Sequence, residues 1–417
     1  MAEGSTTNKF KLLNDPIYGF IAIPTERIFD LIEHPYFQRL RRIGQLGLSS
    51  LVYPGAYHTR FHHALGAMHL MQRAVAILQS KGHAITLQEA ESVQIAILLH
   101  DIGHGPFSHA LEHTLVKGVS HEALSTLLME RLNTEMKGAL TEALAIFHNQ
   151  HPKIFLHQLI SSQLDMDRLD YLRRDAFYTG VVEGAINSER LLSMLNVADG
   201  ELVLDSKGIS SIEKFLVSRS LMYWQVYMHK AVLSAEYMLV QVLRRAHEYV
   251  QSGKTLFGGD ELQRFLKERP TMADFKDRPE VLEAFTRLDD ADILGAMKQW
   301  TRCEDPVLRE LSDRLLNRRL FKIKFLPEAL SVTQRHALEA KIQEAFGYTA
   351  EESRHFVLEG TASNATYKSD KEEIKILKKN GSVVPLSEAS EILPLSVYSH
   401  TITRPFVCWP KGIAWID

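Results

Sequence analysis

The chain has 417 residues, 45% hydrophobic and 24% charged, which fits two or three globular units and excludes disordered, collagen-like and coiled-coil architectures. Lys+Arg number 48 and Asp+Glu 51, a formal charge of −3, so no global basic excess draws the chain to nucleic acid or an anionic membrane. Cys303 and Cys408 are too few for a disulfide framework and fit a reducing cytoplasm, Met1–Phe10 is polar without an apolar signal core, and no run of roughly 18 apolar residues suggests a membrane span.

Along the chain, Thr25–Arg42 carries Ile28, Leu31, Ile32, Phe37 and Leu40 at helical spacing, with a break at Pro35. Gln45–Tyr57 holds two Gly, two Ser and one Pro and reads as a connector. Arg60–Ser80 is expected to be a helix with Phe61, Leu65, Met68, Met71, Val75 and Leu78 inward, ended by Lys81-Gly82. Thr86 and Glu89 form a capping-box signature for the next helix, which runs to about His100. Gly103, Gly105 and Pro106 interrupt, and a helix restarts near Phe107. His121–Asn133, Leu140–Asn149 and His157–Tyr171 read as helices, Val203–Ile209 as a short hairpin, and Ile212–Val250 as one long helical stretch without Pro or Gly. Shorter helices follow to about Leu316. Beyond Arg319 the texture changes. Leu320–Leu326, Phe356–Glu359, Glu373–Lys378, Val383–Leu386 and Val397–Trp409 read as strands, Thr333–Phe346 as a helix, and Asn380-Gly381 as a hairpin turn. The expected fold class is therefore mainly α, with a helical body at 1–318 and a small α+β domain at 319–417.

Histidine is the compositional oddity. Ten of the 19 fall between His58 and His121. Four elements carry the chemistry: Arg60-Phe61-His62-His63; His100-Asp101 followed by His104, His109 and Glu112; His121-Glu122; and Asp165-Met166-Asp167-Arg168-Leu169-Asp170-Tyr171. Adjacent His and Asp on a helix project about 100° apart and can reach one ion in an interhelical groove. The apolar run Ile95–Leu99 delivers the pair to a buried helix end, where an uncompensated Asp is costly and a cation relieves the cost. A second His and a second carboxylate from neighbouring helices would complete a mixed set suited to Mn, Fe, Ni, Zn or Mg, and such an ion lowers the pKa of a bound water.

These motifs resemble the HD-domain phosphohydrolases, in their deoxynucleoside triphosphate triphosphohydrolase (dGTPase-like) branch. The matching pieces are Tyr36–Arg41 with Gln45-Leu46-Gly47, Tyr53-Pro54-Gly55-Ala56 with Arg60, Phe61 and His63, His100–His109, His121-Glu122, Asp165–Asp175, and Arg219 to Tyr227-Met228-His229-Lys230. They span roughly residues 14–250. The resemblance implies an all-helical HD body, with an HD core at about 45–180 and substrate-pocket helices at about 205–250.

The resemblance makes His63, His100, Asp101 and Asp167 the metal ligands, with His62 as the alternative to His63. It makes His104 and His121 phosphate contacts and His109 the general acid. Glu112 lies three residues past His109 on the same helical face, where it could orient and charge that imidazole. The resemblance also makes Arg60, Arg168 and Arg219 contacts to the substrate's phosphates. Tyr171 and Asp175 line the sugar pocket, with Asp175 and Gln45 near the 3′-hydroxyl, and Tyr227 packs on the deoxyribose and excludes a 2′-hydroxyl. Implied with these are a divalent metal ion, a second Mg on the triphosphate, a dNTP substrate, a homo-oligomer and a nucleotide activator. The competing readings are another HD hydrolase, a nucleotidase or phosphodiesterase, and a non-catalytic nucleotide- or nucleic-acid-binding regulator. The occupied acid–base and metal positions argue against the last.

Overall fold

The chain, described here by a computed structural model, is mainly α with small strand-containing regions. Residues 11–364, 373–390 and 402–416 are described; Met1–Phe10, the expected start of the last strand at Val397, and the side chains of residues 109, 113 and 364 lie outside.

Five helices position the site. They are α1 (Arg60–Ser80), α2 (Leu87–Leu99), α3 (Met166–Thr179), α4 (Ile209–Met222) and α5 (Lys230–Gln251). Helix α1 is buried along most of its length, from Phe61 to Leu78, and packs on α2 and α3. A helix apolar on nearly every side belongs in a core. Gly66 permits the closest approach. A Cβ there would lie 2.0 Å from Asp170 Oδ1 and 2.2 Å from Arg174 Nη2 on α3. Helix α2 starts at the expected capping box, Thr86 with Glu89, and delivers His100 at its C-cap.

The strands are β1 (Leu12–Asp15), β2 (Gly19–Ala22), β3 (Leu195–Ala198), β4 (Glu201–Asp205), β5 (Lys322–Phe325), β6 (Leu358–Asn364), β7 (Lys375–Leu377), β8 (Val383–Pro385) and β9 (Ile402–Trp409). β1 and β2 form a hairpin, so the body carries strands as well as helices. β9 lies between β5 and β6. β7 pairs in parallel with β4, through Leu204 against Ile376, and so joins the tail to the hairpin of the body.

Several expectations need correction. The hairpin is β3–β4, not Val203–Ile209. Its turn is Asp199-Gly200, both at positive φ (52° and 79°), and Ile209 already begins α4. His157–Tyr171 is not one helix. Chain turns at Leu159–Leu164 separate Ile154–Gln158 from α3, because Asp165 caps α3 by accepting from Arg168 N (2.7 Å) and Ser162 N (2.8 Å). The long stretch from Ile212 is broken too. Tyr223–Tyr227 is a π-helical turn, and extended His229 caps α5 through Nδ1, which accepts from Ala231 N. Apolar periodicity continues through the break, so spacing alone does not reveal it. Thr25–Arg42 breaks at Pro35, as expected, into a helix, Glu26–Glu33, and two short helical turns.

Candidate active site

The four residues implied as metal ligands converge from three helices. His63 Nε2 stands 3.1 Å from Asp167 Oδ1 and 3.9 Å from Asp101 Oδ2. His100 Nε2 stands 3.3 Å from Asp101 Oδ1 and 3.5 Å from Asp167 Oδ1. His63, His100 and Asp101 each offer a ligand atom within 4.8 Å of the others. The hydrogen bonding fixes which nitrogens are available. His63 Nδ1–H donates to Asp170 Oδ2 (2.8 Å), and His100 Nδ1–H donates to the Ile97 carbonyl (2.6 Å). Both Nε2 atoms are buried and make no hydrogen bond among the described residues. Two orphaned imidazole nitrogens facing two carboxylates are a donor set that suits a divalent cation, and the far ring nitrogens are anchored in the way common to metal-bound histidines.

The electrostatics agree. Burial alone would raise Asp101, but His100, His104 and Arg60 hold it well below the usual carboxylate range. Asp167 is likewise held low, burial being outweighed by His100 and His63. Burial disfavours charge on His63, yet Asp167 and Asp170 outweigh it and raise the imidazole to about 10. The cluster holds more negative charge than its fixed cations balance, and it attracts either protons or a metal.

His62 points elsewhere: its Nδ1 accepts from Thr59 N (3.2 Å) at the start of α1. Arg60 Nη1 donates to Asp101 Oδ2 (2.7 Å). His104 and His121 stack with ring centroids 3.8 Å apart. Ser108 Oγ donates to the Gly105 carbonyl (2.9 Å) and lies 2.8 Å from His104 Nδ1, while His104 Nε2 lies 3.3 Å from Asp101 Oδ1. Burial, then Arg60, pushes His104 well down, which keeps it neutral. Glu112 was expected beside His109, and the partner described is His121, whose Nδ1 lies 2.8 Å from Oε1. The side chain of His109 lies outside the described residues, although its backbone sits in the helix Ser108–Thr114.

A cleft of about 710 Å³ opens over the cluster. Gln45, Arg60, Asp101, His104, His121, Asp167, Tyr171, Asp175 and Tyr227 line it. Its size is that of a pocket for a nucleotide-sized molecule. Tyr227 O–H donates to Asp175 Oδ2 (2.7 Å), and the buried Gln45 Oε1 makes no hydrogen bond among the described residues. Arg168 and Arg219 are not in this lining. Arg168 pairs with Asp165, and Arg219 reaches Gln163 Oε1 at 3.5 Å.

Sequence reasoning passed over several supporting groups. Asp170, which anchors His63, is itself held by Arg174 Nε (2.9 Å), and Arg174 Nη1 reaches Asp15 (2.8 Å). The i,i+4 spacing of Asp170 and Arg174 was the available signal. Arg39, fully buried, donates to the carbonyls of Ile102 (3.0 Å) and His104 (2.8 Å) and so holds the loop after His100-Asp101. Asp290 accepts from Gly44 N (2.8 Å) and Phe107 N (3.1 Å), pinning a residue at φ 45°. Neither long-range contact leaves a local pattern. Glu236 on α5 lies in the cleft wall, where burial raises it to about 7.

Residues 60–175 match the HD domain family and residues 186–269 the HD associated region. The uncharacterized protein YwfO of Bacillus subtilis is 31% identical over 97% of this chain and 93% of its own. A phosphohydrolase from Bacteroides thetaiotaomicron, known by crystal structure, superposes with a TM-score of 0.93 at 49% identity, covering 96% of this chain and 100% of that one. The deoxynucleoside triphosphate triphosphohydrolase SAMHD1 homolog of Dictyostelium discoideum is 29% identical over 59% of this chain, which spans about half (51%) of that protein's length.

Proposed function

The chain belongs to the HD-domain phosphohydrolases, and on that premise we propose that it hydrolyses deoxynucleoside triphosphates to deoxynucleoside and tripolyphosphate. The observation that carries this reading is one cleft lined both by Asp101 and Asp167 of the candidate metal cluster and by Asp175, Tyr227 and Gln45, which can meet a substrate hydroxyl. The likeness to triphosphohydrolases of the SAMHD1 type supports it.

His63, His100, Asp101 and Asp167 would hold a divalent ion, which supplies Lewis acidity and a bound water of lowered pKa. Water adds its oxygen to the α-phosphorus, and the bond to the 5′-oxygen breaks. Arg60 and the neutral His104 face the phosphates together with His121, whose Nδ1 is anchored by Glu112. His109 delivers the proton that the 5′-oxygen takes up. Arg168 and Arg219 add positive charge behind the cleft wall. Tyr171 and Tyr227 stand edge to face, with centroids 6.3 Å apart, and close the sugar pocket against a 2′-hydroxyl. A second Mg on the triphosphate, a homo-oligomeric state, a nucleotide activator and a functional division near residue 318 belong to the same reading.

The test is product analysis of purified, metal-loaded protein with each dNTP. Tripolyphosphate and deoxynucleoside are expected in equal amounts, and orthophosphate or pyrophosphate alone would refute the reading in favour of another HD hydrolase. A His100→Ala/Asp101→Ala double variant should be inactive.

A further inference from the structure

His58 is among the histidines of the 58–121 stretch that the site chemistry leaves without a role. It lies in the segment before α1, with its side chain fully buried. Its Nε2 stands 2.7 Å from Asp175 Oδ1, and its ring stacks on Tyr178 with centroids 4.4 Å apart at 16°. The acceptor is a carboxylate, so the proton of this bond sits on Nε2. The other oxygen of Asp175 accepts from Tyr227 O–H at 2.7 Å. Two donors on opposite oxygens fix the carboxylate plane in a place where Asp175 is only 1% exposed.

The backbone of the same residue does a second job. The His58 carbonyl accepts from Gln45 N (3.0 Å), within a short ladder that also holds Gly44 against Thr59 and Arg60 N on the Ile43 carbonyl (3.0 Å). Gln45 and Asp175 are distant in sequence and sit on separate elements. One residue therefore ties together both groups that face the cleft as hydroxyl acceptors, Gln45 by its main chain and Asp175 by its side chain.

We infer that His58 is a positioning residue that sets Asp175 and Gln45 jointly to read the 3′-hydroxyl of the deoxyribose. The inference rests on the triphosphohydrolase reading and goes beyond it, because His58 itself does not line the cleft. A 3′-hydroxyl donates one proton and needs an acceptor already oriented. A site built to hydrogen-bond a substrate hydroxyl rejects the analogue that lacks it. A carboxylate free to rotate would lose that selectivity before it lost the fold.

The experiment compares kcat/KM for a dNTP and its 2′,3′-dideoxy analogue in wild type, His58→Phe and His58→Gln. Phe keeps a ring to stack on Tyr178 and removes the donor; Gln restores an N–H near the Nε2 position. Wild type is expected to prefer the dNTP. His58→Phe should lower dNTP hydrolysis about tenfold or more while changing dideoxy hydrolysis little, so that the preference collapses. His58→Gln should recover part of it. Metal content and thermal melting check that each variant is folded. If His58→Phe does not fold, His58→Asn, whose amide is too short to reach Asp175, takes its place. An unchanged preference, or an equal loss on both substrates, would overturn the inference. So would a wild type that cleaves both analogues equally well, with the triphosphohydrolase reading left intact. A wild type that cleaves no dNTP removes that reading, and the inference falls with it.

Discussion

His63 is fixed by one hydrogen bond, Nδ1–H to Asp170, which turns Nε2 toward Asp167 in the candidate centre. Outer partners of this kind orient the ring and raise its basicity, and their loss typically weakens metal binding by about 10–100-fold. Asp170→Asn is therefore expected to lower bound metal in purified protein, read by elemental analysis at limiting ion; unchanged occupancy would detach Asp170 from the centre. The pH dependence follows from the same residue. In ion-free protein His63 is raised from 6.5 to about 10. Its protonated form stabilises that state fully below 6.5, and the contribution is lost as pH rises toward 10. Metal requires the neutral ring, so at pH 7 an ion must displace the His63 proton, and affinity rises with pH. Calorimetry in buffers of different ionisation enthalpy should detect that release, and none would contradict the assignment.

Elements meet closely here because glycines allow it. Helices α1 and α3 cross at Gly66, where a methyl group would collide with the Asp170–Arg174 pair. Gly66→Ala should destabilise the fold by about 1–3 kcal/mol, the usual cost of overpacking, and reduce metal occupancy with it. A lower melting temperature with full occupancy would show that the crossing relaxes without disturbing His63. Gly103 has the same character: a Cβ would lie 2.2 Å from both the His121 carbonyl and Ser125 N. Asp290, at the start of the helix Asp290–Trp300, joins the loop before α1 to the loop after α2 through two backbone donors. Asp290→Ala leaves both donors without that partner. A loss of about 1–3 kcal/mol in denaturant unfolding is expected, with kcat reduced more than KM is raised.

At the scale of the whole molecule, the tail is bound into the body. The Ser234 hydroxyl of α5 donates to the Phe321 carbonyl (3.0 Å), β7 extends the β3–β4 hairpin, and Gly360 of β6 admits the ring of Tyr237, which a Cβ would meet at 2.3 Å. Thr361–Ser363 complete the cleft wall beside Glu236. Truncation after Arg318 should therefore lower the melting temperature and weaken nucleotide binding, because it exposes the edge of β4 and opens one wall. A truncated chain that melts and binds as the full chain does would show the tail to be independent of the cleft.

Local rules carried much of this in the sequence. Helical periodicity, the Thr86–Glu89 box and the Gly–Pro interruption after His100 depend on neighbours within a few residues, so α1, α2 and the position of His100-Asp101 were legible. Ligand-competent residue types at those spacings pointed to metal chemistry for the same reason. The breaks at Asp165 and at Tyr223–Tyr227 were not legible, since hydrophobic spacing runs through both and only capping and packing stop the helix. What tertiary structure alone decided is which distant groups meet around the candidate site: Asp167 against His63, His121 within reach of Glu112, Asp175 against His58, and Arg39 and Asp290 holding the loops. Those contacts join residues on separate elements. Their energy comes from burial and charge pairing that exist only once the helices have packed.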